Sequence, residues 1–140
     1  MKLTLKFDNT KFSKREVYRK FFTLISILNP DKDKRLQDCE IDMIAEFMML
    51  PPKYDYYRFA SPSKKRVIKT AKEELDWNLS ATNIRNKLYS LIKKDILVRD
   101  EDQVIYFKPY IRTMLEEIRK GNGVNITTIF NLNDEKPNII

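Results

Sequence analysis

Asparagine, arginine and lysine crowd one amphipathic segment, residues 80–95. Leu88, Leu91 and Ile92 follow Ile84 at four, seven and eight residues, the spacing of an apolar helical stripe. With that stripe inward, a step of about 100° per residue puts Thr82, Asn86, Tyr89 and Lys93 near the opposite face. Asn83, Arg85, Ser90 and Lys94 flank them. An asparagine amide can pair bidentately with adenine and a guanidinium with guanine, while Lys and Thr serve phosphates. Ser80 is placed to cap the helix, whose first backbone N–H groups are further phosphate donors.

Charge is concentrated in the same region. Residues 61–95 hold nine basic side chains (Lys64, Lys65, Arg66, Lys69, Lys72, Arg85, Lys87, Lys93 and Lys94) against four acidic ones (Glu73, Glu74, Asp76 and Asp95). That +5 is most of the chain's net +7, a balance that mildly favours a polyanionic partner. Lys-rich helix faces are often only solvated surface, and for the lysines the two readings weigh evenly. Position favours function for Arg85 and Asn86.

The elements that must hold these residues follow from periodicity. Leu3, Leu5 and Phe7 alternate with polar residues, which predicts a strand over residues 2–7. Ser13-Lys14-Arg15-Glu16 has the form of a capping box and opens a helix over 14–28, with Val17, Phe21, Leu24, Ile25 and Leu28 on one stripe. Asn29-Pro30 ends it, and 31–35 reads as a charged loop. A second helix runs from Asp38 to Met49, with Ile41, Ile44, Phe47 and Met48 inward. Residues 51–63 form the longest irregular segment, whose tyrosines and Phe59 pack on the body of the domain. Ser61 and Ser63 are alternative starts for a third helix reaching Leu75, which buries Val67, Ile68, Ala71 and Leu75. After the helix at 80–95, runs 96–99 and 103–107 predict a hairpin with Asp100-Glu101-Asp102 at its tip. Pro109 opens a fifth helix to about residue 120, ended by Gly121. Residues 124–132 read as a strand able to pair with the N-terminal one, and 133–140 as a loose tail.

The run Ser80-Ala81-Thr82-Asn83-Ile84-Arg85-Asn86-Lys87-Leu88-Tyr89-Ser90-Leu91-Ile92-Lys93-Lys94-Asp95-Ile96-Leu97 resembles the recognition helix and first wing strand of winged helix-turn-helix proteins. Leu88, Leu91, Ile96 and Leu97 match the apolar pattern of that superfamily, which includes multiple-antibiotic-resistance-type regulators and plasmid and phage replication initiators. Val104 to Phe107 looks like the second wing strand, 36–50 like the supporting helix and 64–75 like the positioning helix, so the resemblance covers about two thirds of the chain. It implies a mainly α fold with small β elements: about five helices, a β-hairpin wing and terminal strands that can pair. One winged-helix domain spans 1–132, with core 36–107 and flanking helices 14–28 and 109–120 able to build a homodimer. It also implies that helix 80–95 enters the major groove of double-stranded DNA while helix 64–75 lies across the backbone. The DNA-contacting set is then Ser80, Thr82, Asn83, Arg85, Asn86, Lys87, Tyr89 and Lys93, with Lys64, Lys65 and Lys69 on phosphates.

One feature departs from the pattern. A DNA-binding wing presents Arg or Lys, whereas this tip carries three carboxylates that repel a phosphate backbone, offset in part by Arg99 and Lys108 at its base. Either the wing points away from nucleic acid, or the domain serves protein contacts. The leading expectation is therefore a non-enzymatic DNA-binding protein, a transcriptional regulator or replication-type initiator. The rival is a structural or interaction protein, such as a phage virion or assembly component, with the aromatic loop and terminal strand edges as docking features. A winged helix that binds RNA is a minor third reading. High Ile, Lys and Asn usage hints at an AT-rich genome, common to phages and many bacteria.

Other chemistries find little footing. There is no histidine, so the commonest general base and metal ligand is missing. Gly121 and Gly123 form no phosphate-binding loop. Asp31/Asp33 and Asp100/Glu101/Asp102 lack the spacing of a calcium or two-metal site, and no cofactor is expected. Tyr54, Tyr56 and Tyr57 could stack bases, but a loop packed by its own aromatics is favoured. The single Cys39 points to a reducing, cytoplasmic setting and reads as a small helix residue. No apolar run approaches the roughly 20 residues of a membrane span.

Overall fold

Apolar residues recurring every three to four positions fold into five α-helices in the computed structural model, which describes residues 4–5, 13–120 and 124–125. They are α1 (Lys14–Leu28), α2 (Asp38–Met48), α3 (Ser61–Leu75), α4 (Ala81–Lys93) and α5 (Pro109–Arg119). Two antiparallel strand pairs accompany them: β1 (Thr4–Leu5) with β4 (Val124–Asn125), and β2 (Leu97–Arg99) with β3 (Ile105–Phe107). The protein is thus mainly α with small β elements. The terminal pairing is Thr4 against Asn125 and Leu5 against Val124, which closes within one chain. The rest of the expected terminal strands, the Gly121 helix stop and the tail at 133–140 lie outside the described residues.

Local chemistry accounts for the helix limits. Ser13 Oγ accepts from the Glu16 N–H at 3.2 Å, and Asn29 closes α1 in an extended conformation. Gln37 N–H donates to Glu40 Oε1 at 2.7 Å at the head of α2. Two helices end on left-handed aspartates, Asp76 (φ 49°) after α3 and Asp95 (φ 63°) after α4. Aspartate tolerates that region better than most residues, so these stops carry no glycine signal.

Three expectations need correction. Residues 32–34 form a 3₁₀ turn capped by Asp31, whose carboxylate accepts from the Asp33 N–H at 2.9 Å, instead of an open charged loop. Residues 52–57 are a 3₁₀ helix, so the stretch 51–63 is not irregular throughout; Pro52 presets its first turn. Neither Ser61 nor Ser63 caps α3: Ala60 occupies that position without a side-chain bond, and Ser63 is buried.

One core runs through the described helices and the hairpin. Phe21 and Phe22 of α1, Phe47 of α2, Phe59 and Phe107 of β3 form a continuous aromatic chain with ring centroids 5.0–6.1 Å apart. Phe107 roots the hairpin in it. The inward faces of α1 and α5 are spent here too, through Val17, Tyr18 and Ile25 and through Ile111, Met114, Leu115 and Ile118. Ile27 remains as the one large apolar side chain on α1 that is exposed.

Candidate nucleic-acid interface

The stripe predicted for α4 is its inner face: Ile84, Leu88 and Leu91 are buried and Ile92 partly so. Burial on that side fixes what the other side presents. Thr82, Asn83, Arg85, Asn86, Tyr89 and Lys93 are exposed, and Lys87 is half-buried on one flank. Ser80 Oγ accepts from the Asn83 N–H at 3.0 Å, so this hydroxyl sets the helix start and keeps its own hydrogen to donate. On α3, Lys65 and Lys69 are exposed and Lys64 is half-buried.

The hairpin brings some of these residues together. Its period of two turns Leu97 and Arg99 to the same side, so Leu97 enters the core while Arg99 reaches α4. The Arg99 guanidinium sits 4.7 Å from the centre of the Tyr89 ring and donates to Gln103 Oε1 at 3.3 Å. Lys64, Arg85, Tyr89 and Arg99 then line one cleft of about 190 Å³, a meeting of α3, α4 and β2. Lys65, Lys69, Ser80, Thr82, Asn86 and Lys93 lie outside this cleft. Arg99 and Gln103 belong to the site although residue chemistry on the helices alone does not select them. The signal that finds Arg99 is its place two residues after buried Leu97, on the same side of the strand.

The acidic tip is not three free carboxylates. Asp100 Oδ1 accepts from the backbone N–H groups of Asp102 and Val104, both at 2.9 Å, and so folds the loop between β2 and β3. Gln103 takes a left-handed conformation there (φ 66°). Glu101 and Asp102 stay exposed.

Ion pairs engage part of the basic set of the described residues. Arg15, Arg19, Lys34, Arg58, Lys94, Lys108 and Arg119 each hold a carboxylate. Lys94, expected to flank the outward face, instead turns inward and donates to buried Glu40 at 2.5 Å. Among the described residues, Lys64, Lys65, Lys69, Arg85, Lys87 and Lys93 have no ion-pair partner. Asp95, two residues beyond α4, is engaged by Lys34 and, at 3.9 Å, by Lys108, while its backbone oxygen accepts from the Tyr110 hydroxyl at 2.7 Å.

Among the described residues, no group of His, Cys, Asp and Glu could hold a metal, and no helix is long and apolar enough to cross a membrane. What the α3–α4–hairpin face offers is unpaired positive charge, planar amide and guanidinium donors, and one aromatic ring. Comparison with protein-family models, curated proteins and solved structures finds no match to the chain.

Proposed function

We propose that the protein is a non-enzymatic, sequence-selective DNA-binding protein of winged helix-turn-helix type, acting as a transcriptional regulator or replication-type initiator. The observation that carries this reading is the run of exposed, unpaired Asn, Arg and Lys side chains on the outward face of α4. In this reading α4 enters the major groove, with Asn86 and Arg85 reaching base edges. Lys64, Lys65 and Lys69 meet phosphates alongside, and Arg99, steadied on Tyr89, reaches the backbone from the base of the wing. Replacing Arg85 and Asn86 together with Ala is the test. Binding to the preferred duplex, selected from a random pool, weakens by about 1–3 kcal/mol per lost bidentate contact, and the selected sequence relaxes. Equal losses on every sequence would remove base reading from the account.

A second reading is favoured by one observation. Val98, Val104 and Tyr106 are exposed on the outer side of the hairpin, beside Glu101 and Asp102. An apolar and acidic strip of that kind suits a protein neighbour, as in a structural protein of a phage virion or another assembly. Wild-type protein that binds no duplex at low salt would favour this alternative.

A further inference from the structure

A second cleft, of about 440 Å³, opens between the 3₁₀ helix at 52–57, β3 and α5. That volume lies within the roughly 300–1,000 Å³ of small-molecule sites. Phe59, Phe107 and Leu115 give it an apolar floor. Arg58, Arg112 and Arg119 line it as well, together with two carboxylates, Asp55 and Glu116. Asp55 is shared: it pairs with Arg58 and, at 3.5 Å, with Arg119, and one carboxylate cannot neutralise two guanidiniums. Arg58 also donates to the Phe47 carbonyl at 2.9 Å. Its side chain is 11% exposed, and burial, aided by the Arg119 charge, pulls its pKa below the usual arginine value despite Asp55. Arg112 has no ion-pair partner among the described residues.

Three guanidiniums against two carboxylates leave one positive charge beside apolar surface. We propose that this cleft binds a small amphipathic monocarboxylate, an aromatic or short acyl acid, with its carboxylate on Arg112 and Arg119 and its apolar body on Phe59, Phe107 and Leu115. The planar guanidinium fork matches a carboxylate with two parallel hydrogen bonds. A single excess charge suits a monoanion, and Asp55 and Glu116 repel a dianion such as a phosphate ester. The proposal is independent of DNA binding, since none of these residues lies on α4.

The test titrates the full chain with 4-phenylbutyrate, its uncharged isostere 4-phenylbutanamide, and inorganic phosphate, followed by calorimetry and backbone amide NMR. Saturable binding of 4-phenylbutyrate is expected, with shifts confined to residues 52–59, β3 and α5. The amide binds at least about tenfold more weakly, the loss expected for a hydrogen bond to a charged group, and phosphate does not saturate. Arg112→Gln, on the exposed side of α5, lowers affinity for the acid by about tenfold with an unchanged Tm. Equal affinity for acid and amide, shifts centred on α4, or an Arg112→Gln variant that binds as well as wild type would each overturn the proposal. So would a chain dimer through this cleft that 4-phenylbutyrate does not displace.

Discussion

Glu40 and Glu46 sit on α2 with 1% and 2% of their surface exposed, and each is paired with a side chain from a different segment of the chain. Arg15 of α1 holds Glu46 through two hydrogen bonds, at 2.6 and 2.9 Å, while Lys94 after α4 holds Glu40. Removing one member of such a pair strands a buried charge, so Arg15→Met is expected to cost about 3 kcal/mol in urea unfolding. A loss near zero would show that Glu46 is solvated in practice. Glu40 also makes stability depend on pH. Burial pushes its carboxyl up, but hydrogen bonds from the Gln37 backbone, Lys94 and Ser90, with the Lys94 charge, hold it below the usual 4.5. Its folded pKa therefore lies below its unfolded one. The resulting stability is full above the unfolded value and drains away as pH falls through the folded one. A series of urea midpoints from pH 7 downward should fall through the acid range, and Glu40→Gln should flatten that fall. An equally steep fall in the variant would assign it to other carboxylates.

At the scale of elements, the hairpin turns on Asp100. Its side chain holds two backbone N–H groups, so Asp100→Ala should cost about 1–2 kcal/mol and loosen the loop, seen as faster hydrogen exchange at Asp102 and Val104. Glu101 and Asp102 hold no such role, and Glu101→Lys with Asp102→Lys leaves Tm unchanged. If the hairpin approaches a phosphate backbone, the double variant tightens duplex binding and steepens its salt dependence. Unchanged binding places the tip away from the DNA. Much of this scale was legible in the sequence. The stripes of α1 and α4, the Ser13 and Ser80 caps and the two hairpin strands all follow from local period and capping chemistry. Other features depend on partners far along the chain. Nothing local marks Glu40 and Glu46 as buried, because Arg15 and Lys94 meet them only after folding. Lys94 was misplaced for the same reason. Phe22 and Tyr18 are buried beside the expected α1 stripe because the hairpin and its neighbours cover that helix on a wider arc than one stripe predicts. The 3₁₀ helix at 52–57 escaped because its tight repeat leaves little pattern in so few residues.

At the scale of the molecule, the positive charge of the described residues falls into a paired and an unpaired set. One part is tied into ion pairs that hold α1, α2, α4 and the hairpin together; the other has no ion pair and includes the basic side chains of α3 and of the outward face of α4, with Lys14, Lys32, Arg35, Arg112 and Lys120 elsewhere. The cluster of unpaired cations on α3 and α4 is the basis of the proposed DNA reading, and it predicts separable variants. Lys64→Gln, Lys65→Gln and Lys69→Gln together leave the core untouched, so folding survives while affinity falls alike on all sequences. The direct measurement is fluorescence anisotropy of a labelled mixed-sequence duplex titrated with wild type and this triple variant across a range of salt. If Lys64, Lys65, Lys69 and Arg99 meet phosphates, log K for wild type falls against log salt with a slope of about −3 to −4, and the variant's slope is shallower by about 2–3. No wild-type binding at low salt, or identical slopes for the two proteins, would contradict the account.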